Sequence, residues 1–296
     1  MHYAKRPSLV QPITNLFVEG CFAILSMYTL NGFFSMLRER VVRNNYYVTF
    51  PEITQFLNTR RYRCPIRTVF WAIVFLNCIV FAAWQKDENS YLLNTYFLLS
   101  TQKSHLNFVN LVLSAFSHIE PMHLISNMLT FNGVVEIWKR LDHSQCTMLN
   151  SCNGGEFTCF YFSAAIVSSL FGLYVKAVSN TMVSSVGASG VVCSLMAYEM
   201  VLGPCLQTSI VVPGYRRINT KDFFYVVVLI DVIGFIKMML VNYFDLDYFV
   251  QTDYSVHVCG YAFGLWYATG GDAKLLSLGK KVSRALSKFI SYLNEF

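Results

Sequence analysis

The chain has 296 residues, 54% of them hydrophobic and 16% aromatic, with a mean hydropathy of +0.42 and a formal net charge of +6. Only 14% are Asp, Glu, Lys or Arg, against about 25% in soluble domains. That excludes an ordinary water-soluble domain and points to one polytopic helical membrane unit. The basic residues are dispersed between apolar runs, so they read as topology signals and not as a nucleic-acid surface. The nine cysteines are odd in number and contain no CxxC, and several lie inside apolar runs. They read as buried thiols, not as a disulfide framework or a metal site.

Residues 1–14 hold Lys5 and Arg6 and no acid, a weak match to the end of a mitochondrial targeting segment. The uncharged run 20–37 predicts a first transmembrane helix, followed by a basic linker broken by Pro51 and Pro65. Residues 1–65 are therefore set apart from the rest of the chain. A second span is expected over 68–84, between Arg67 and Lys86. Residues 85–117 are too many for a passive loop and too apolar for a solvated one, which predicts an element lying in the membrane interface. Further spans are expected over 121–138, 157–175, 189–204, 223–241 and 254–271. The basic amphipathic stretch 272–296 predicts a surface helix or tail.

Seven spans make successive connections alternate between the two sides of the bilayer. One side then collects seventeen lysines and arginines and the other only five, Lys5, Arg6, Lys86, Lys103 and Lys176. The first side is thereby assigned to the cytoplasm or matrix.

Depth singles out four polar side chains. Ser189 opens the fifth span, His257 lies about one turn into the seventh, and His123 and Asn127 occupy the first two turns of the third. All three helix starts fall on the basic-poor side, so the four groups share one leaflet, where polar side chains are costly and usually functional. His257, Gly260, Gly264 and Ala268 form one helical stripe, and Ser189, Cys193 and Ala197 form another. Close packing of these stripes brings His257 to Ser189, with Gly187, Gly190, Gly260 and Gly264 as the small residues that permit it. A serine needs a neighbouring base, which a neutral His257 supplies. The oxyanion of a tetrahedral intermediate needs donors, which the Ser189 N–H, Asn127 and His123 can supply. Each residue has a plainer reading: Ser189 as a helix cap, His257 as a buried core histidine, Asn127 as inter-helix glue and His123 as an interfacial side chain. Their agreement in depth, side and face favours the catalytic one.

The run from His118 through His123 to Asn127, then Gly187-Ala188-Ser189-Gly190, then His257, Gly260 and Gly264, resembles the HxxxxHxxxN, GxSG and HxxGxxxG motifs of rhomboid intramembrane serine proteases. The resemblance covers about residues 66–271. It implies an all-α membrane fold with a six-helix protease core preceded by one extra helix. It further implies a Ser189–His257 dyad acting through an acyl-enzyme, Asn127 and His123 at the oxyanion hole, residues 85–118 as the family's first loop, and no cofactor or metal. The extra helix and the Leu229-Ile230-Asp231 stretch resemble the mitochondrial, presenilin-associated rhomboid-like group. That group implies the inner mitochondrial membrane, a site facing the intermembrane space, and single-span membrane proteins as substrates. The alternative within the same architecture is a catalytically silent protein that binds transmembrane clients.

Three features depart from the family pattern. Val256 and Cys259 flank His257 where smaller residues are usual, which predicts a looser contact between the fifth and seventh helices. The aromatic connection 242–253 is long, which predicts a gate over the site. No Trp-Arg pair occurs in 85–118. Asp231, inside the sixth span, is expected to make a structural hydrogen bond, and Glu199 carries no assigned role.

Overall fold

The structure, a computed structural model, describes residues 10–43, 66–87, 90–101, 106–141, 154–179, 184–202, 209–211, 217–243 and 252–293. Every predicted span coincides with a helix. These are α1 (Val10–Arg43), α2 (Ile66–Lys86), α4 (Pro121–Leu141), α5 (Gly154–Val178), α6 (Ser189–Leu202), α7 (Thr220–Tyr243) and α8 (Tyr254–Trp266). A short α3 (Phe108–Leu113) lies in the predicted interfacial stretch, and α9 (Asp272–Leu293) forms the amphipathic C-terminal helix. The fold is all-α, with one small exception between α6 and α7. There β1 (Ser209–Val211) pairs antiparallel with β2 (Arg217–Asn219), Ile210 opposite Ile218.

Windows in α1, α2, α5 and α7 are long and apolar enough to cross a membrane. The window in α5 is 67% buried, whereas those in α1, α2 and α7 are 17–22% buried. Thus α5 is the central post and the other three form the perimeter. Their outward side chains, such as Trp71, Phe75, Tyr225 and Ile230, are large and apolar, which suits contact with lipid and not with water. α6 is central as well: Val191 to Tyr198 are all buried. At 14 residues it is about 21 Å long, well short of the ~30 Å hydrocarbon thickness. Ser189 is its first residue, and residues 203–208 beyond its last turn lie outside the described ones.

α6 and α8 run parallel in a fixed register. A Cβ placed on Gly260 would lie 2.3 Å from the Gly190 carbonyl oxygen, and one on Gly264 only 2.0 Å from the Ser194 carbonyl oxygen. Both contacts pair residues seventy positions apart (260 with 190, 264 with 194), so the Gly260–Gly264 stripe packs on α6 one residue along from the predicted Ser189–Cys193–Ala197 stripe, with Cys193 Cβ 3.2 Å from the Gly260 position. The looser contact expected from Val256 is not what forms. Its methyl groups fill the space left by Gly172 and Gly190 on the facing helices, so larger side chain and absent side chain compensate.

α1 is longer than predicted at its N-terminal end, continuing through the exposed Glu19. Its first turns bury Ile13 and Leu16 with Leu170 and Leu173 of α5. Further along, the Tyr28 and Tyr267 hydroxyls are 3.1 Å apart, and Gly279 of α9 packs against the Tyr28 carbonyl. Ser283 also donates to the Thr29 carbonyl. The C-terminal helix is therefore fastened to α1, with Lys280, Lys281 and Arg284 on its exposed side.

Lys176 corrects the sequence reading. It counts there as a solvated cation of the basic-poor side, but it is fully buried, with Nζ 2.7 Å from Asp253 Oδ2. Ser185 bonds both partners and Ser255 bonds the carboxylate. Burial alone would raise the Asp253 carboxyl; the Lys176 ammonium and the serine hydrogen bonds outweigh it and hold the group below its ordinary value. This network ties the end of α5, the segment before Ser189 and the start of α8 to one point. Removing one member leaves a buried unpaired charge, a cost of about 3–5 kcal/mol.

Two stability outcomes are expected of the detergent-solubilised protein. Gly264→Ala should lower the thermal midpoint by the equivalent of roughly 1–3 kcal/mol or more, because helix backbone must move. Gly133→Ala, which meets nothing within 4 Å, should be neutral or slightly stabilising. Lys176→Met should destabilise strongly, with Asp253→Asn added to it restoring part of the loss. Equal midpoints for the two glycine variants, or no effect of Lys176→Met, would contradict this packing.

Candidate active site

The approach to Ser189 is built from the interfacial stretch. Asn110, fully buried, donates from Nδ2 to the carbonyls of Thr95 (2.6 Å) and Tyr96 (3.0 Å). Trp84 Nε1 donates to Ser117 Oγ at 2.7 Å, fixing the stretch to α2. What the sequence shows as an apolar connection is thus a folded shelf with its polar backbone satisfied, as burial near lipid requires.

The shelf holds the chain leading to Ser189 by its backbone. Leu99 and Ser185 exchange hydrogen bonds of 3.1 and 2.7 Å. The Gly187 N–H donates to the Ser114 carbonyl at 2.9 Å, and the Ala188 N–H to His118 Nε2 at 3.4 Å. Gly187 has φ +124°, a conformation L side chains rarely adopt, and a Cβ there would lie 2.7 Å from the His123 ring. Backbone shape and the approach of His123 each require glycine.

Ser189 is not the helix cap. The N–H groups of Val191 and Val192 both bond the Ala188 carbonyl, each at 3.0 Å, so Ala188 closes the first turn and Ser189 is the first helical residue. Its hydroxyl is released from the capping role that formed the plainer reading. The side chain is half-buried, as is that of His257.

Carried one turn toward the helix starts, the same seventy-residue offset sets position 257 opposite position 187, two residues before Ser189. His257 Nδ1 lies 3.2 Å from Asp231 Oδ1 on α7. The ring N–H direction does not line up with that oxygen, so this buried nitrogen has no aligned hydrogen bond. The other carboxylate oxygen, Oδ2, accepts from the Tyr261 hydroxyl at 2.7 Å. The hydrogen bond expected of Asp231 is present, then, and the carboxylate also stands next to His257. Cys193, one turn below Ser189, joins the same group: one donor atom each from Cys193, Asp231 and His257 lies within 4.8 Å of the others.

His123 and Asn127 stand apart in what they do. The His123 ring packs on Gly187 and edge-on to the His118 ring, with centroids 4.9 Å apart. The Asn127 amide donates to the His123 carbonyl at 2.9 Å and sits 3.3 Å from His118 Nε2. Since one neighbour is a carbonyl, the amide nitrogen is fixed on that side. Of the two predicted oxyanion donors, His123 is at the serine turn, while Asn127 is turned toward His118.

His118 is the residue whose weight the sequence reading understates. It is fully buried, and its Nε2 faces two donors, the Ala188 N–H and the Asn127 amide. It must accept at Nε2 and stay neutral. Burial, then the neighbouring His123, push its pKa down to about 3. The first histidine of HxxxxHxxxN was the available signal, but nothing in spacing alone distinguishes an acceptor for the serine turn from an interfacial side chain. Of the predicted gate at 242–253, residues 244–251 lie outside the described ones.

A family model described as the Rhomboid domain matches residues 105–271, from just before α3 to the residue before α9. The chain is 23% identical over 195 residues to presenilin-associated rhomboid-like protein A, mitochondrial, of Danio rerio, covering 66% of this chain and 45% of that protein. It is 23% identical over 199 residues to the Homo sapiens presenilin-associated rhomboid-like protein, mitochondrial, with 67% and 47% covered. With rhomboid protein 1, mitochondrial, of Saccharomyces cerevisiae it shares 31% identity over 141 residues, with 47% and 37% covered. The chain spans about half the length or less of these curated relatives.

The depressed His118 pKa has a sign. Between about 6.5 and 3 the unfolded chain binds a proton that the folded one does not, so stability falls on acidification through that window and is constant above it. The thermal midpoint should drop below pH 6.5. His118→Gln, which keeps an acceptor but cannot titrate, should flatten that slope. An unchanged slope would remove His118 from the buried-acceptor role.

Proposed function

The chain belongs to the rhomboid family, and from that premise we propose that it is an intramembrane serine endopeptidase cleaving single-span membrane proteins near one leaflet. The observations that support this reading are that Ser189 is the first residue of α6 with Ala188, not Ser189, closing the first turn, and that the α6–α8 register, carried on, sets position 257 opposite position 187. In the proposed mechanism the Ser189 hydroxyl attacks the scissile carbonyl while its proton passes to His257. Asp231 lies against Nδ1, which leaves Nε2 as the nitrogen that serves Ser189 and fixes the ring's orientation. The oxyanion is met by the Ser189 N–H at the α6 N-terminus and by His123, while Asn127 and His118 hold the turn in shape. His257 then protonates the leaving amine, and water hydrolyses the acyl-enzyme by the same route in reverse.

The names of the relatives place them in mitochondria, and the basic-rich side of this chain suits the matrix. On this reading the protein is a multi-pass protein of the inner mitochondrial membrane in a one-plus-six arrangement, with its site open to the intermembrane space.

Labelling of the membrane-embedded protein by a serine-reactive phosphonate tests the reading. Labelling should occur at one site and vanish in Ser189→Ala. Cleavage of a single-span reporter should fall by about 10²–10⁴-fold in His257→Ala, the range expected for loss of a general base. Labelling that survives Ser189→Ala, or cleavage unchanged in His257→Ala, overturns the dyad. A native protein that neither labels nor cleaves is instead the client-binding alternative.

A further inference from the structure

Three unlike ligand types converge under the serine. Cys193 comes from α6, Asp231 from α7 and His257 from α8, and their donor atoms lie within 4.8 Å of one another. We propose that Cys193 Sγ, Asp231 and His257 Nδ1 form an inhibitory binding site for a divalent cation of the zinc type, which switches the catalytic base off. Binding stands on geometry alone, whereas the inhibitory consequence rests on the Ser189–His257 reading.

Four observations support the site. Nδ1 is buried without an aligned hydrogen bond, so its lone pair is available in the appropriate tautomer. Tyr261 occupies only one carboxylate oxygen of Asp231, leaving the oxygen nearer His257 to coordinate. Sulfur, imidazole and carboxylate together match zinc chemistry better than that of magnesium or calcium. In a tetrahedral zinc site neighbouring ligand atoms lie about 3.3–3.8 Å apart, as bond lengths of about 2.0–2.3 Å dictate, so the group must close by only about 1 Å.

Charge supplies the selectivity. A thiolate and a carboxylate carry two negative charges, which a divalent cation cancels with a neutral imidazole as third ligand. Within a bilayer a neutral assembly avoids the large desolvation cost of a net charge, so monovalent cations are disfavoured. His257 and Asp231 keep 14% and 11% of their side chains exposed whereas Cys193 is buried, so an arriving cation meets the imidazole and carboxylate before the sulfur. Cys193 gives up its proton to solvent as the sulfur–metal bond forms, so one proton is released per ion and affinity rises with pH.

The inhibitory step is a matter of tautomers. With the metal on Nδ1, the neutral imidazole must carry its proton on Nε2. That nitrogen then has no lone pair with which to take the Ser189 proton, and the serine stays a poor nucleophile. The ligand set thus takes the Nδ1 edge of the ring, replacing the Asp231 contact that the proposed mechanism uses.

Cobalt(II) titration of the full chain in detergent, as the Ser189→Ala variant, tests binding without catalysis. One ion per chain is expected, with a thiolate-to-cobalt charge-transfer band, release of one proton and displacement by zinc. The band should vanish in Cys193→Ala and in Cys193→Ser, the second serving where the first does not fold, and binding should weaken at least tenfold in Asp231→Asn. In the native chain zinc should block phosphonate labelling at the concentration at which it displaces cobalt. Cys193→Ala should label normally without metal and need at least tenfold more zinc. Absence of the band, or its persistence in both Cys193 variants, overturns the site. Cobalt binding with no labelling of metal-free native protein would sustain the site and overturn the protease reading instead.

Discussion

The backbone contact between α6 and α8 is the constraint on which the rest depends. Gly260 and Gly264 set the α8 backbone against the carbonyls of Gly190 and Ser194 so closely that even a methyl group would collide. In lipid, helix association gains little from the hydrophobic effect, so such contacts draw on dispersion and on close backbone approach. Two contacts one turn apart also fix both rotation and translation. The positions of the two helix starts relative to one another are therefore decided by backbone contacts and not by the side chains of His257 and Ser189.

That contact would slide without anchors at the start of α6, where the preceding segment packs against the interfacial stretch. Water cannot satisfy that segment, so the fold supplies partners: Leu99, Ser114 and His118 for its backbone, and the Lys176–Asp253 pair for its side-chain end. The buried ion pair is a weak contributor to net stability, given its desolvation cost. Its value is geometric, because it joins α5, the serine segment and α8 through charges that cannot be left unpaired. A neutral His118 does the same at the other end, accepting where a charged ring could not.

Much of this was legible in the sequence because membrane burial simplifies the code. Long apolar runs with few charges mark every span, and polar residues inside them have to be paired or functional, which singles out Ser189, His257, His123 and Asn127. Helical periodicity then showed Gly260 and Gly264 on the His257 face. What escaped were relations between elements with no shared period. Lys176 read as a solvated loop cation because its partner is 77 positions away. Asp231 gave no sign of lying against His257, since the rotation of α7 is not set by any stripe of its own. The β1–β2 pairing was overlooked although Pro213-Gly214 marks a turn signal between the strands. The N-terminal reach of α1 was missed because Glu19 ends the hydropathic run while remaining exposed on a continuing helix.

The position of Asp231 bears on how a serine–histidine pair can work at this depth. A histidine that becomes cationic during the reaction needs a counter-charge, and the low dielectric makes that need greater than in water. A carboxylate in full contact would hold the ring charged and leave it a poor base. A carboxylate absent would leave the imidazolium uncompensated. Asp231 takes an intermediate course, with one oxygen engaged by Tyr261 and the other 3.2 Å from Nδ1 but off the hydrogen-bond line. Under the proposed mechanism, attraction to the ring would strengthen as the proton arrives from Ser189, concentrating stabilisation in the transition state. An edge of the imidazole kept loosely engaged for that purpose is also an edge a metal can take, so the proposed catalytic role and the proposed cation site share one physical origin.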